Sequence, residues 1–228
     1  MASGSKDGTV KIWNLFDGRI GQTLRGHSRG IWCLKFLTKY LLCSGSYDSL
    51  IKIWNLKDGT CSRTLDSHTG PVWSIVKCDY FLVSASQDRT AIVWDLNDCD
   101  KVNRLVAHKG AIFCVDAQKD LVVTGSSDKF IKLWNIYTGE CHKSVQVDQF
   151  DGVSSISMSH NHIACACKQT ITLWKIGFAY SLELIREFKE HFKKIESIQI
   201  LTTKWPNSEL LMVSGSKDGL IKIWNNNE

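Results

Sequence analysis

No stretch of eighteen or more apolar residues occurs in this chain of 228 residues, so it offers no hydrophobic helix of membrane-spanning length. The opening residues, Met1 to Asp7, lack the apolar stretch of a secretory leader. A soluble protein of the cytoplasm, the nucleus or both is expected, with no membrane contact. No segment carries the periodicity of a long amphipathic helix. No block of like charge is present either: 28 Lys and Arg stand against 23 Asp and Glu, spread along the chain, for a net charge of +5. Without a basic stripe a nucleic-acid partner is not expected. The nine cysteines form no compact spacing pattern, and Cys33, Cys43, Cys78, Cys114 and Cys165 fall inside β-like apolar runs. They are read as reduced core thiols. Cys165 and Cys167 have no second thiol pair nearby and are expected on opposite strand faces, which leaves no metal site. No unrepeated cluster of acid, base and nucleophile stands out, so no enzyme, catalytic residue or cofactor is expected.

What is present is repetition. Trp13, Trp54, Trp94, Trp134, Trp174 and Trp224 are separated by 41, 40, 40, 40 and 50 residues. Six residues before each stands Asp7, Asp48, Asp88, Asp128, Lys168 and Asp218, so five of six units share one Asp-to-Trp spacing. His27, His68 and His108 precede their aspartates by 21, 20 and 20 residues, His191 lies before Asp218, and Asp148 stands where a fifth histidine belongs. Short apolar runs such as IWCLKF, YLLCSGS and LIKIWNL alternate with turn residues. Asp17-Gly18, Asp58-Gly59 and Thr138-Gly139 mark hairpins between the third and fourth runs. Each unit of about forty residues therefore reads as a four-stranded sheet, and the chain as all-β. Such a sheet buries its faces only by stacking on neighbours around a channel.

At this point the sequence resembles the WD-repeat β-propeller family, whose blades carry Gly-His, an aspartate in a tight turn and a closing Trp-Asp. The resemblance spans residues 1–228 as a single propeller domain with about six blades. Only Gly26-His27 keeps the Gly-His pair, and only Trp94-Asp95 the Trp-Asp pair. It implies a hydrogen-bonded chain of histidine, strand hydroxyl, turn aspartate and indole: His27, Ser44, Asp48, Trp54; His68, Ser84, Asp88, Trp94; and His108, Thr124, Asp128, Trp134. A trio of His, Ser and Asp suggests a hydrolase, but a nucleophile is needed once and this set recurs, so it is structural. In the fifth unit an ion pair of Asp148 with Lys168 or a looser blade is expected, the second being preferred. His160 and His162 are placed at a strand turn, in solvent.

Residues 1–14 align with 212–225, which implies a missing first strand at one end and a missing fourth at the other, as in a piece of a longer, seven-bladed parent. Such open edges predict stickiness or dependence on a missing segment. Five residues after the histidines stand Trp32, Trp73 and Phe113, which the resemblance places at the mouth of the channel as partner-binding anchors. Their neighbours Ile31, Val72 and Ile112 supply the inward side chain. Tyr47, Arg29, Arg89, Lys109 and Lys129 surround them and suit a peptide bearing apolar and acidic or phosphorylated residues. The tight joint between first and second strands is similar to the repeats of F-box/WD-repeat substrate receptors. The expected function is a protein-interaction scaffold or adaptor that binds a partner peptide on the narrow face of the propeller, as the substrate-recognition part of a ubiquitin ligase with ligase subunits among its partners. The alternative is a general scaffold in another complex, such as one of RNA processing or signalling.

Overall fold

The computed structural model describes residues 1–148, 151–202 and 210–225. It divides into two compact units, Met1–Val106 and Ala107–Glu228. The first unit holds three antiparallel sheets. Strands β1 (Ala2–Gly4), β2 (Val10–Trp13) and β3 (Ile20–Leu24) form the first. Strands β4 (Ile31–Phe36), β5 (Leu41–Ser46), β6 (Ile51–Asn55) and β7 (Thr60–Leu65) form the second, and β8 (Val72–Cys78), β9 (Phe81–Ser86), β10 (Thr90–Asp95) and β11 (Lys101–Val106) the third. The second unit repeats the pattern with β12 (Ile112–Gln118), β13 (Leu121–Ser126), β14 (Phe130–Asn135) and β15 (Cys141–Gln146). A sheet of β16 (Val153–Ser159), β17 (His162–Cys167), β18 (Thr170–Ile176) and β19 (Leu182–Phe188) follows, and β20 (Ile195–Thr202), β21 (Leu210–Ser216) and β22 (Ile221–Asn225) make the last. Every strand pairs with its sequence neighbour, the order expected of short hairpins. The first and last sheets have three strands each among the described residues, and residues 226–228, which bear on the expected missing fourth strand, lie outside them.

The middle strands are buried on both faces, which is why β5, β9, β13 and β17 read as nearly continuous small and apolar runs rather than alternating ones. Fourth strands are mostly exposed. The apolar clusters lie between successive sheets. In the first unit Leu42, Trp54 and Val10 form one cluster, and Cys43, Ile53, Val72 and Trp94 another. In the second, Val123, Leu133, Ile156 and Trp174 form one, and Ala164, Leu173, Ile198 and Trp224 the next. Close approach between sheets requires glycine at Gly125, where an added Cβ would lie 2.6 Å from both Cys114 Sγ and a Val153 methyl.

Two expectations about cysteine are corrected. Cys165 and Cys167 are alternate residues of one strand and so share a face; both project into the cluster that holds Cys114. Cys61 and Cys141 are exposed on fourth strands rather than in the core. The glycines of the three named hairpins do adopt positive φ, at 70°, 75° and 72° for Gly18, Gly59 and Gly139.

Candidate functional site: recurring polar chains and an exposed aromatic cluster

Four sheets carry the same polar chain. His27, His68 and His108 each bring Nδ1 within 2.8 Å of a carboxylate oxygen of Asp48, Asp88 and Asp128, and His191 does so at 2.7 Å with Asp218. The opposite nitrogen, Nε2, lies 2.8 Å from the hydroxyl of Ser44, Ser84, Thr124 and Ser214. That hydroxyl accepts the indole N–H of Trp54, Trp94, Trp134 and Trp224 at 2.8 to 2.9 Å. The carboxylate sets the direction of the chain. The carboxylate must take the Nδ1 proton, so Nε2 accepts from the hydroxyl, which in turn accepts from the indole. With Nδ1 donating and Nε2 accepting, the His27 and His108 imidazoles are neutral, as the full burial of their side chains favours.

Burial holds His27 and His108 below the ordinary histidine range, against the raising effect of their aspartates. For Asp48 and Asp128 burial works upward, but the imidazole N–H and backbone amides outweigh it and keep both carboxyls below the usual range. The second oxygen of each aspartate closes its own turn: Asp48 accepts from Leu50 N at 3.0 Å and Asp88 from Thr90 N at 2.9 Å. These groups tie the start of one sheet to the turn between its second and third strands, and the same set returns in four sheets. The recurring His, Ser and Asp are therefore architectural.

The fifth sheet departs from the rest. Cys165 replaces the hydroxyl residue, and Trp174 Nε1 donates instead to Thr172 Oγ1 at 2.9 Å. Lys168 pairs with Asp151 at 3.3 Å, rather than with Asp148 as the ion-pair reading had it. Both partners of that pair are largely exposed.

The predicted anchors owe their direction to a β-bulge. In five sheets the pairing of the first two strands slips by one residue at the same place, between Ile31 and Cys33, Val72 and Ser74, Ile112 and Cys114, Val153 and Ser155, and Ile195 and Ser197. The skipped residues are Trp32, Trp73, Phe113, Ser154 and Glu196. Ile31, Val72 and Ile112 stay buried, so the bulge turns the following ring outward. Trp32 is 53% exposed, Tyr47 39% and Phe113 37%, while Trp73 is half-buried.

In the first unit three of these rings meet. Trp32 and Trp73 are edge to face with centroids 4.8 Å apart, and Tyr47 stands 5.7 Å from Trp32 and 5.2 Å from Trp73. Trp73 Nε1 donates to Gln87 Oε1 at 3.0 Å. Arg29 and Arg89 are exposed, Arg89 in a left-handed turn position with φ of 70°. In the second unit Phe113, Lys109 and Lys129 occupy the matching positions. Phe113 lines a cavity of about 350 Å³ with Asp151, Ser154, Lys168 and Lys194, while the Lys109 amide donates to Asp128 at 2.8 Å and Lys129 has φ of 76°.

Three participants were not read from the sequence. The set of His191, Ser214, Asp218 and Trp224 is complete, although its histidine and aspartate stand 27 residues apart instead of 20 or 21. Gln87, one residue before Asp88, holds Trp73 where Tyr47 packs on it from the preceding sheet; aligning the units on their aspartates would have pointed to it. Arg104 Nη2 lies 3.5 Å from Asp88 Oδ2, a contact that no repeat spacing announces.

The family model described as WD domain, G-beta repeat matches residues 1–14, 18–55, 59–95, 99–135 and 182–225, and the chain belongs to that WD40 family. The fold is thus that of a WD-repeat β-propeller with about six blades represented. The stretch between the last two matches, 136–181, contains Cys165 and Lys168, which stand where the other sheets have a hydroxyl residue and an aspartate. A chain from a solved structure titled "Crystal Structure of Mitotic Checkpoint Complex" is similar with a TM-score of 0.88. The match covers 98% of this chain and 70% of that one, at 21% identity, a likeness of fold. No curated protein sequence matches the chain. Proteins of the WD40 family generally serve as non-enzymatic scaffolds that bind other proteins or peptides.

Proposed function

We propose that this chain is an adaptor that captures a partner peptide on the loop ends of its sheets where the histidines and turn aspartates lie. The observation that carries this reading is the cluster of exposed Trp32 and Tyr47 with half-buried Trp73, the two indoles standing at recurring bulges. Large rings bring much apolar area with few rotamers to freeze, the usual composition of an interface anchor. Arg29 and Arg89 favour a peptide whose apolar residues are joined by acidic or phosphorylated ones, since a guanidinium takes carboxylate or phosphate in a bidentate pair. Phe113, Lys109 and Lys129 offer the same chemistry on the second unit. Work in the cytoplasm, the nucleus or both accords with this role.

The tight joints between first and second strands support a narrower reading, substrate recognition for a ubiquitin ligase. Affinity purification with mass spectrometry tests it. Recovery of ligase subunits with the chain is the expected result. Recovery of scaffolding partners without any ligase subunit would leave the adaptor and remove the ligase, and recovery of RNA with few proteins would overturn both.

A further inference from the structure

A separate cavity lies at the other end of the same sheets in the first unit. β4 and β8 begin beside the His27 and His68 loops, and where they end, a cavity of about 350 Å³ opens, within the range of sites that hold organic ligands. Leu37, Leu41, Ile53 and Leu96 supply its apolar walls. Two cations line it. Lys77 reaches across from β8 to donate to the Leu37 carbonyl at 2.9 Å, which leaves two of its three N–H donors for a ligand. Arg63 stands on β7, and among the described residues neither cation has a carboxylate within ion-pair distance. Asp79 is the one acid in the lining. Asp95 and Asp98, close by, accept from Asn97 N at 2.7 Å and Asp100 N at 2.9 Å to close their own turn.

The rim extends this chemistry. Tyr80 is exposed beside the cavity, and Tyr40, next to Leu41, is exposed with the ammonium groups of Lys39 and Lys57 4.7 and 4.6 Å from its ring centre. An apolar hollow flanked by cations and open aromatic rings is larger than one side chain needs and continues onto the surface as an extended chain does.

We propose that this cavity receives a partner peptide in which a large apolar residue adjoins an Asp or Glu, the apolar side chain entering between Leu41 and Leu96 and the carboxylate meeting Lys77 and Arg63. The surface is separate from the aromatic cluster of Trp32, Tyr47 and Trp73, so an adaptor so built joins two partners on one pair of sheets. The inference does not depend on the reading of that cluster.

A random octapeptide display library, selected on the wild-type chain and counter-selected on Ser62→Trp, tests it. Ser62 is an exposed residue of β7 lining the cavity, so an indole there fills the hollow without entering the core. The enriched peptides are expected to share an apolar residue beside Asp or Glu. Synthesised, they should bind Ser62→Trp and the charge variant Lys77→Met at least tenfold more weakly, and bind Trp32→Ala with Trp73→Ala as well as wild type. They should also slow alkylation of Cys99, which lines the cavity, without slowing that of Cys141 on the second unit. Circular dichroism of each variant confirms an unchanged fold. The proposal is overturned if no peptide family survives counter-selection, if binding is lost on Trp32→Ala with Trp73→Ala, or if it is kept on Lys77→Met.

Discussion

Thr124→Val isolates the recurring polar chain from packing, because the two side chains are nearly the same shape and differ by a hydroxyl. Thr124 is fully buried; its oxygen lies 2.8 Å from His108 Nε2 and takes the Trp134 indole N–H at 2.8 Å. A methyl in its place leaves one donor and one acceptor unpaired and out of reach of water. At about 1 to 3 kcal/mol for each such group, the cost is about 2 to 6 kcal/mol, a large share of the roughly 5 to 15 kcal/mol that holds a folded protein together. Urea-induced unfolding followed by tryptophan fluorescence and circular dichroism reads it directly, as a lower midpoint with an unchanged slope. Thr124→Ser keeps the oxygen and is expected to cost under about 1.5 kcal/mol, the price of a lost methyl. A loss below about 0.5 kcal/mol for the valine variant, or equal losses for the two, would refute the assignment of the hydroxyl as the link between imidazole and indole.

Acid should destabilise the fold in two steps. His27 and His108 are held below the ordinary value of 6.5, so the folded chain binds fewer protons than the unfolded one there, and stability falls as pH drops below 6.5, by up to about 1.4 kcal/mol per pH unit for each. Asp48, Asp88 and Asp128, lowered from 3.8, add a second loss below about pH 4. Urea midpoints measured from pH 8 to pH 3 check both, and a midpoint that rises on acidification contradicts the neutral-histidine chain. Gly125→Ala should cost more than about 2 kcal/mol because its Cβ meets Cys114 and Val153, whereas Gly219→Ala, whose Cβ meets nothing within 4 Å, carries only the strain of a positive φ, about 1 kcal/mol. Thermal melts rank the two. With N-ethylmaleimide at neutral pH, Cys61 and Cys141 should react first and Cys43, Cys114 and Cys165 only on unfolding, since burial pushes those three thiols far up; peptide mapping by mass spectrometry reads the order.

The repeat made the sheets legible because the aspartate-to-tryptophan segment is one turn and one strand, a fixed local length. The distance from histidine to aspartate spans two strands and what joins them, so the 27 residues from His191 to Asp218 hid that set from a search for twenty-residue spacing. Trp32 and Trp73 were legible as outward rings because the bulge recurs at a fixed place. Their mutual contact with Tyr47 was not, because it depends on the stagger of one sheet against the next, which no single repeat encodes. The reading of Cys165 and Cys167 failed on strand geometry alone, where period two puts alternate residues on one face. The cavity at Leu41 and Leu96 draws on the ends of several strands distant in sequence, and only packing brings them together.

The central claim is that the outward rings capture a partner while the buried polar chains hold the sheets that present them. Quantitative affinity capture with wild type and with the double variant Trp32→Ala, Trp73→Ala, each checked for an unchanged unfolding midpoint, tests it most directly. A set of proteins retained by the wild type and lost from the variant is the predicted result. The same proteins recovered in the same amounts from both would show that these rings serve packing alone.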